Sequence, residues 1–224
     1  MIKWLGWFSL AGFSGLGIWI FGYTPIESSQ GFSQKIMYLH VPVIMMAYLA
    51  SFLVVLGSVG YLWKREMMFD RLAKSSAELA MLFFAMALVS GSIWGKPTWG
   101  TYWTWDARLT TTLLAFLIYV GYVTLRSFAH PGEKQARLAA VIGIIAFLDI
   151  PLIHVSVQWW RTLHQPTTLL KTVGGEAKPA ADPVLLYPLF ASFLLMAVFF
   201  AYLLLLRLRV EAGEEELAEQ LARQ

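Results

Sequence analysis

Val184–Leu206 reads VLLYPLFASFLLMAVFFAYLLLL, an apolar run without a single charge. A helix needs roughly 20 predominantly apolar residues to cross the hydrocarbon core of a bilayer, and this run supplies them. Working outward, five more segments meet the same condition, at about 3–22, 38–63, 75–94, 109–126 and 138–158. Chain buried in lipid must satisfy its own N–H and C=O groups, which dictates helices here, and the alternating pattern of a membrane barrel strand is absent. The expectation is an all-α integral membrane protein with six transmembrane helices.

Composition agrees. Of 224 residues, 58% are hydrophobic and 14% charged, with a mean hydropathy of +0.61. A soluble domain of this size needs more charge to cover its surface. No cysteine is present, which excludes disulfides, thiolate metal sites and covalent heme attachment through C-x-x-C-H. The net charge of +3 is spread over the loops, so nucleic acid is not an expected partner. Lys3 precedes the apolar run Trp4–Phe21 with no A-x-A-like cleavage site after it, which reads as a retained first helix.

Basic residues orient the bundle. With both termini inside, Lys3, Lys64, Arg65, Arg71, Lys74, Arg126, Lys134, Arg137, Arg207, Arg209 and Arg223 are cytoplasmic, and six others, Lys35, Lys96, Arg108, Arg161, Lys171 and Lys178, are outside. That asymmetry favours this topology by the positive-inside rule. The outer side then comprises Tyr23–Lys35, Gly95–Arg108 and Gln158–Pro183, the last ending in a mobile Gly/Ala/Pro stretch. The chain divides into a six-helix domain over 1–210 and a cytoplasmic tail over 211–224 that extends the last helix.

Residues 94–108 read Trp94-Gly-Lys-Pro-Thr-Trp99-Gly-Thr-Tyr102-Trp103-Thr-Trp105-Asp106-Ala-Arg108. One reading is an interfacial aromatic belt, since Trp and Tyr favour membrane interfaces. The other is a stacking platform for a flat ligand. Trp99 and Trp103, four apart, share a face on a short interfacial helix, with Tyr102 beside them. Gly95, Pro97 and Gly100 would bend the chain to lay the rings along the membrane. Asp106 stands where it would cap the fourth helix. Arg108 and Lys96 either mark the interface or pair with ligand carboxylates, for which the guanidinium fork is the better shape.

The chain has four histidines. His130 lies in an inner turn, whereas His40, His154 and His164 fall on the outer side. Ionisable groups in membrane segments point to function, and a metal macrocycle takes neutral imidazoles above and below its plane. Two of these histidines beside the aromatic platform would make a bis-histidyl site. Asp149, in the fifth helix, either hydrogen-bonds within the bundle or stays protonated.

The segment from Trp94 to Thr110, with Tyr38-Leu-His40-Val-Pro42 and Val157-Gln-Trp159-Trp160-Arg-Thr-Leu-His164-Gln, resembles the WWD-domain heme-handling protein family, and within it the cytochrome c maturation protein C (heme exporter protein C) family. The resemblance covers nearly the whole chain, with helix number, topology and all three motifs in order. It implies heme b held transiently and without covalent attachment at the periplasmic face of the bacterial inner membrane. The site so implied comprises Trp94, Trp99, Tyr102, Trp103, Trp105, Asp106 and Arg108, with His40 and His164 as axial ligands of the iron. His154 matches a further histidine of the family, and Tyr102 stands where relatives often carry Trp.

The resemblance also implies a delivery subunit, not an enzyme, serving c-type cytochrome biogenesis. The implied partners are a periplasmic heme chaperone, a small single-helix membrane subunit, and the ATPase and permease subunits of an ABC transporter. Two other classes compete. A b-type membrane cytochrome in quinol-linked electron transfer would hold its heme deep in the bundle. A membrane glycosyltransferase would need an acidic metal cluster and a large soluble domain.

Overall fold

The computed structural model describes residues 2–129, 132–160, 162–164, 171–173, 176–178 and 183–222. Among these, six helices are long and apolar enough to span a membrane. They are α1 (Ile2–Ile18, continued by a π-helical turn to Tyr23), α2 (Met37–Lys64), α3 (Met67–Trp99), α4 (Ala107–Phe128), α5 (Glu133–Trp159) and α6 (Pro183–Ala222). The expected six-helix membrane protein is what the chain forms. Between α5 and α6, β1 (Lys171–Val173) and β2 (Glu176–Lys178) pair antiparallel. Sequence reading took that region as loop, although Gly174-Gly175 between two short runs is a hairpin signal. His130, Arg161 and Arg223 lie outside the described residues.

Small residues decide how closely the helices approach. A Cβ on Gly57 of α2 would stand 2.7 Å from the Phe69 carbonyl oxygen and 2.8 Å from the Ala73 nitrogen, so the two backbones touch there. Ala47 and Ala50 of α2, with Ala77 and Ala80 of α3, are wholly buried. Between helices in lipid, such close backbone packing replaces the hydrophobic drive available in water. Gly143 gives α5 the same access, since its Cβ would meet Ser58 Oγ and Val54 Cγ1 at 2.7 Å. Phe83, Phe84, Tyr119 and Tyr122 fill the centre, while other large apolar side chains point outward, Trp63 being 81% exposed and Leu194 72%. An apolar outer surface beside an apolar core suits a bundle solvated by lipid.

Arg65 and Glu66 join α2 to α3, Arg65 in the left-handed region at φ 60° with its N–H bonded to the Tyr61 carbonyl, and Glu66 extended. The apolar segment expected at 75–94 is the middle of a longer helix. Its first turns carry Asp70, Lys74 and Glu78, which enter the bundle because each meets an opposite charge. Asp70 takes both arms of Arg126 of α4 at 2.9 and 2.6 Å. Arg207 of α6 pairs with Glu78 and Glu211, and Lys74 reaches Glu211 at 2.5 Å. α3, α4 and α6 are thereby tied together at this end. The starts of α2, α4 and α6 and the ends of α1, α3 and α5 lie at the other.

Candidate functional site

At that other end two turns, α1 to α2 and α3 to α4, are set by local chemistry. α1 stops where Lys35, only 5% exposed, folds back and donates from Nζ to the carbonyls of Ile20 at 2.7 Å and Thr24 at 3.0 Å. A buried ammonium is tolerable there because it satisfies the carbonyls left open at a helix C-terminus. Sequence reading counted Lys35 only as an outer charge. α3 stops at Gly100, whose φ of +79° no L-residue adopts cheaply. α4 starts at Asp106, whose carboxylate accepts the Arg108 N–H at 2.8 Å, the cap expected from the sequence.

These turns correct one expectation. Trp99 and Trp103 do not share a helical face: Trp99 is the last residue of α3, and Gly100 turns the chain before Trp103. Gly95 and Pro97 both lie inside α3, so of the three residues expected to bend the chain it is Gly100 that makes the turn between the two tryptophans. Thr98 supports the last turn of α3, its hydroxyl donating to the Trp94 carbonyl at 2.8 Å. The two indoles nevertheless converge, brought by the turn to one cavity wall.

Two adjoining cavities share His40, Trp99, Arg108 and His164. The larger, about 270 Å³, adds Tyr48, Trp94 and His154, and the smaller, about 50 Å³, adds Trp103 and Leu109. His40, in the first turn of α2, meets Trp94 edge-on at 5.7 Å between centroids. His164 meets Trp99 edge-on at 4.7 Å. Gly91 lets α3 pass close to His40, because a Cβ there would lie 3.0 Å from the imidazole Cε1. Trp94 is itself fixed, its indole N–H donating to Gln30 Oε1 at 3.1 Å.

Asp106, 9% exposed, does more than cap α4. Its second oxygen accepts the Leu163 N–H at 2.7 Å, so one carboxylate ties the tryptophan segment to the loop carrying His164. His164 Nδ1 stands 3.7 Å from the first oxygen, too far for a hydrogen bond, and has no other partner among the described residues. Burial, and next the Arg108 guanidinium, push the His164 imidazole down to about 4, against the pull of Asp106. The ring is therefore neutral near pH 7 and has a lone pair to offer. Arg108 forms no ion pair among the described residues, and its Nε is buried without a partner.

Of the residues singled out in the sequence, His40, His164, Trp94, Trp99, Trp103 and Arg108 surround the cavities, with Asp106 behind His164. Tyr102 and Trp105 do not line them. Tyr102 is 60% exposed beneath the Lys96 ammonium, and Trp105 packs on Trp103 at 5.6 Å with its outer face free. His154 does line the larger cavity, its ring 5.0 Å from Tyr48. Tyr48 and Ser90 carry no signal in the sequence because a single polar residue in an apolar helix makes no motif, and Gln30 carries none because it is one polar residue among several in an outer turn. Asp149 is buried, and neither carboxylate oxygen has a partner among the described residues.

The chain matches known proteins along nearly its full length. The model of a family described as heme exporter protein C covers residues 1–223. Heme exporter protein C of Escherichia coli strain K12 is 37% identical over 210 residues, covering 93% of this chain and 82% of that protein. The protein of the same name from Bradyrhizobium diazoefficiens is 36% identical over 208 residues, covering 93% of this chain and 76% of that protein. That of Haemophilus influenzae is 33% identical over 204 residues, covering 90% and 81%.

Proposed function

The chain belongs to the heme exporter protein C family, and on that premise we propose that it holds heme b, without covalent attachment, between His40 and His164 and releases it for c-type cytochrome assembly. The observation that carries this reading is the convergence of three imidazoles (His40, His164 and, in the larger cavity, His154), three indoles and the Arg108 guanidinium on a single recess at one end of the bundle. Heme is cargo here, and the residues fit it. A porphyrin offers flat apolar faces to Trp94, Trp99 and Trp103, an iron to the imidazoles, and propionates to Arg108. The buried Arg108 Nε has no partner among the described residues, which suits a site whose counter-charge arrives with the ligand.

The site end faces the periplasm and both termini lie in the cytoplasm of a bacterial inner membrane, a topology supported by the excess of Lys and Arg at the opposite end. A periplasmic chaperone receives the heme. The exposed rings of Tyr102, Trp105, Trp159 and Trp160, which lie beyond the cavity lining, offer it an apolar landing surface. A single-helix subunit and the ATPase and permease of an ABC transporter complete the assembly, with α1 and the lipid-facing flanks free for membrane contacts. Placement at the end of the bundle distinguishes this site from that of a b-type electron-transfer cytochrome.

The test is an absorption spectrum of the purified protein supplied with hemin, before and after reduction. A low-spin bis-histidine spectrum is expected, lost in His40→Ala and in His164→Ala. An unaltered spectrum in both variants would refute the ligand pair.

A further inference from the structure

An imidazole can ligate iron only through the nitrogen that lacks a proton, so a ligand histidine must be held in one tautomer. Ser90 of α3 lies against His40, its Oγ 2.9 Å from Nδ1. Either group could be the donor if that contact stood alone. It does not. Ser90 Oγ is also 2.7 Å from the Met86 carbonyl oxygen and 3.3 Å from that of Ala87. Two oxygens at 2.7 Å repel unless a hydrogen lies between them, and only the serine has one to place there.

The hydroxyl hydrogen is therefore committed to its own helix, and toward His40 the serine presents a lone pair. Nδ1 must carry the imidazole proton, which leaves the lone pair on Nε2. Nε2 makes no hydrogen bond with a described residue, and the ring lines both cavities. Ser90 is only 7% exposed, so water does not compete for its oxygen. Gly91, whose missing Cβ admits the ring at 3.0 Å, completes the socket.

We infer that Ser90 is a positioning residue, which fixes His40 as its Nδ1–H tautomer and holds Nε2 ready for the iron of an incoming porphyrin. The assignment of iron to Nε2 rests on the function proposed above; the tautomer does not. The socket also separates the two imidazoles. His40 is oriented by a neighbouring helix before any ligand arrives, whereas His164 sits on a loop, its Nδ1 without a partner among the described residues. His40 is then the fixed side of the site and His164 the side that yields.

The experiment uses the full chain, 15N-labelled at histidine and reconstituted in lipid nanodiscs without hemin. The His40 resonances are identified by their loss in His40→Ala. Nuclear magnetic resonance should show Nδ1 protonated and Nε2 bare in the unsubstituted protein. Ser90→Ala should lose that preference, and Ser90→Thr, which keeps the hydroxyl, should retain it. Protonation at Nε2 in the unsubstituted protein would overturn the inference without any variant having to fold.

Hemin titration then supplies the second arm. Ser90→Ala should bind hemin roughly 10- to 100-fold more weakly, the usual cost of losing a partner behind a metal ligand, with Ser90→Thr near the unsubstituted value. A changed tautomer with unchanged hemin affinity would remove the positioning role. An unaltered hemin spectrum in His40→Ala would instead remove the ligand assignment and leave the tautomer result standing.

Discussion

The two ends of the bundle use charge in opposite ways. Where α3 begins, charges face one another: Asp70 grips Arg126, and Arg207 lies between Glu78 and Glu211. At the other end, Arg108, His40 and His164 surround a recess, and the buried carboxylate of Asp106 holds backbone N–H groups instead of pairing with the guanidinium. A paired cluster has nothing left to offer a ligand, whereas a recess with an uncompensated cation and bare ring nitrogens is built to receive one. The first end therefore fixes the helices, and the second binds.

The comparison can be broken most forcefully at the recess. His40→Ala and His164→Ala should each abolish bis-histidine heme binding while the protein still inserts in membranes and unfolds near its normal temperature. Titration of purified variants with hemin, beside thermal unfolding in detergent, checks both halves. Loss of fold together with loss of heme would mean that the recess is structural after all.

At the ion-paired end the expected pattern reverses. Asp70→Ala strands the Arg126 guanidinium, whose side chain is 9% exposed, and breaking a buried pair from one side costs about 3–5 kcal/mol. Unfolding should move by that much, while hemin added to the surviving folded fraction gives an unchanged spectrum. Gly57→Ala is expected to follow, since the new Cβ would press on the backbone of α3 and overpacking costs roughly 1–3 kcal/mol. A heme spectrum that shifted in either variant would show the two ends to be coupled.

How much of this was legible in sequence follows from the range of the forces involved. The apolar runs declare six helices because lipid demands continuous hydrophobicity, and the Asp106 cap reads directly because capping is local. The pairing of His40 with His164 was accessible only through the resemblance, since spacing says nothing about residues on a helix and a distant loop. The paired tryptophan face failed because Gly100 was weighed as a bend within a helix rather than as the residue that ends one. Ser90, Gln30 and Lys35 left no trace, because their roles depend on which neighbour a side chain meets. A serine donating to its own helix looks alike in sequence whether or not an imidazole lies beside it.

The smallest expected effect falls at the residue that joins two roles, Asp106. Its Oδ1 caps α4 through the Arg108 N–H and its Oδ2 holds the Leu163 N–H, so the carboxylate serves the helix and the His164 loop at once. Asp106→Asn separates them. Asparagine caps helices about as well as aspartate, so its single oxygen can keep the Arg108 bond, but its amide nitrogen then faces Leu163, and two donors cannot bond. Stability should change by less than about 1 kcal/mol, within the spread for exchanging good caps, whereas hemin should leave the site faster because His164 is less firmly held. Asp106→Ala removes both bonds and should lose about 1 kcal/mol for the cap as well. Stopped-flow transfer of hemin to excess apomyoglobin reads the release rate, and thermal unfolding reads the cap. If Asp106→Asn releases hemin at the unsubstituted rate, the carboxylate is a helix cap only, and the hold on His164 must come from its packing against Trp99.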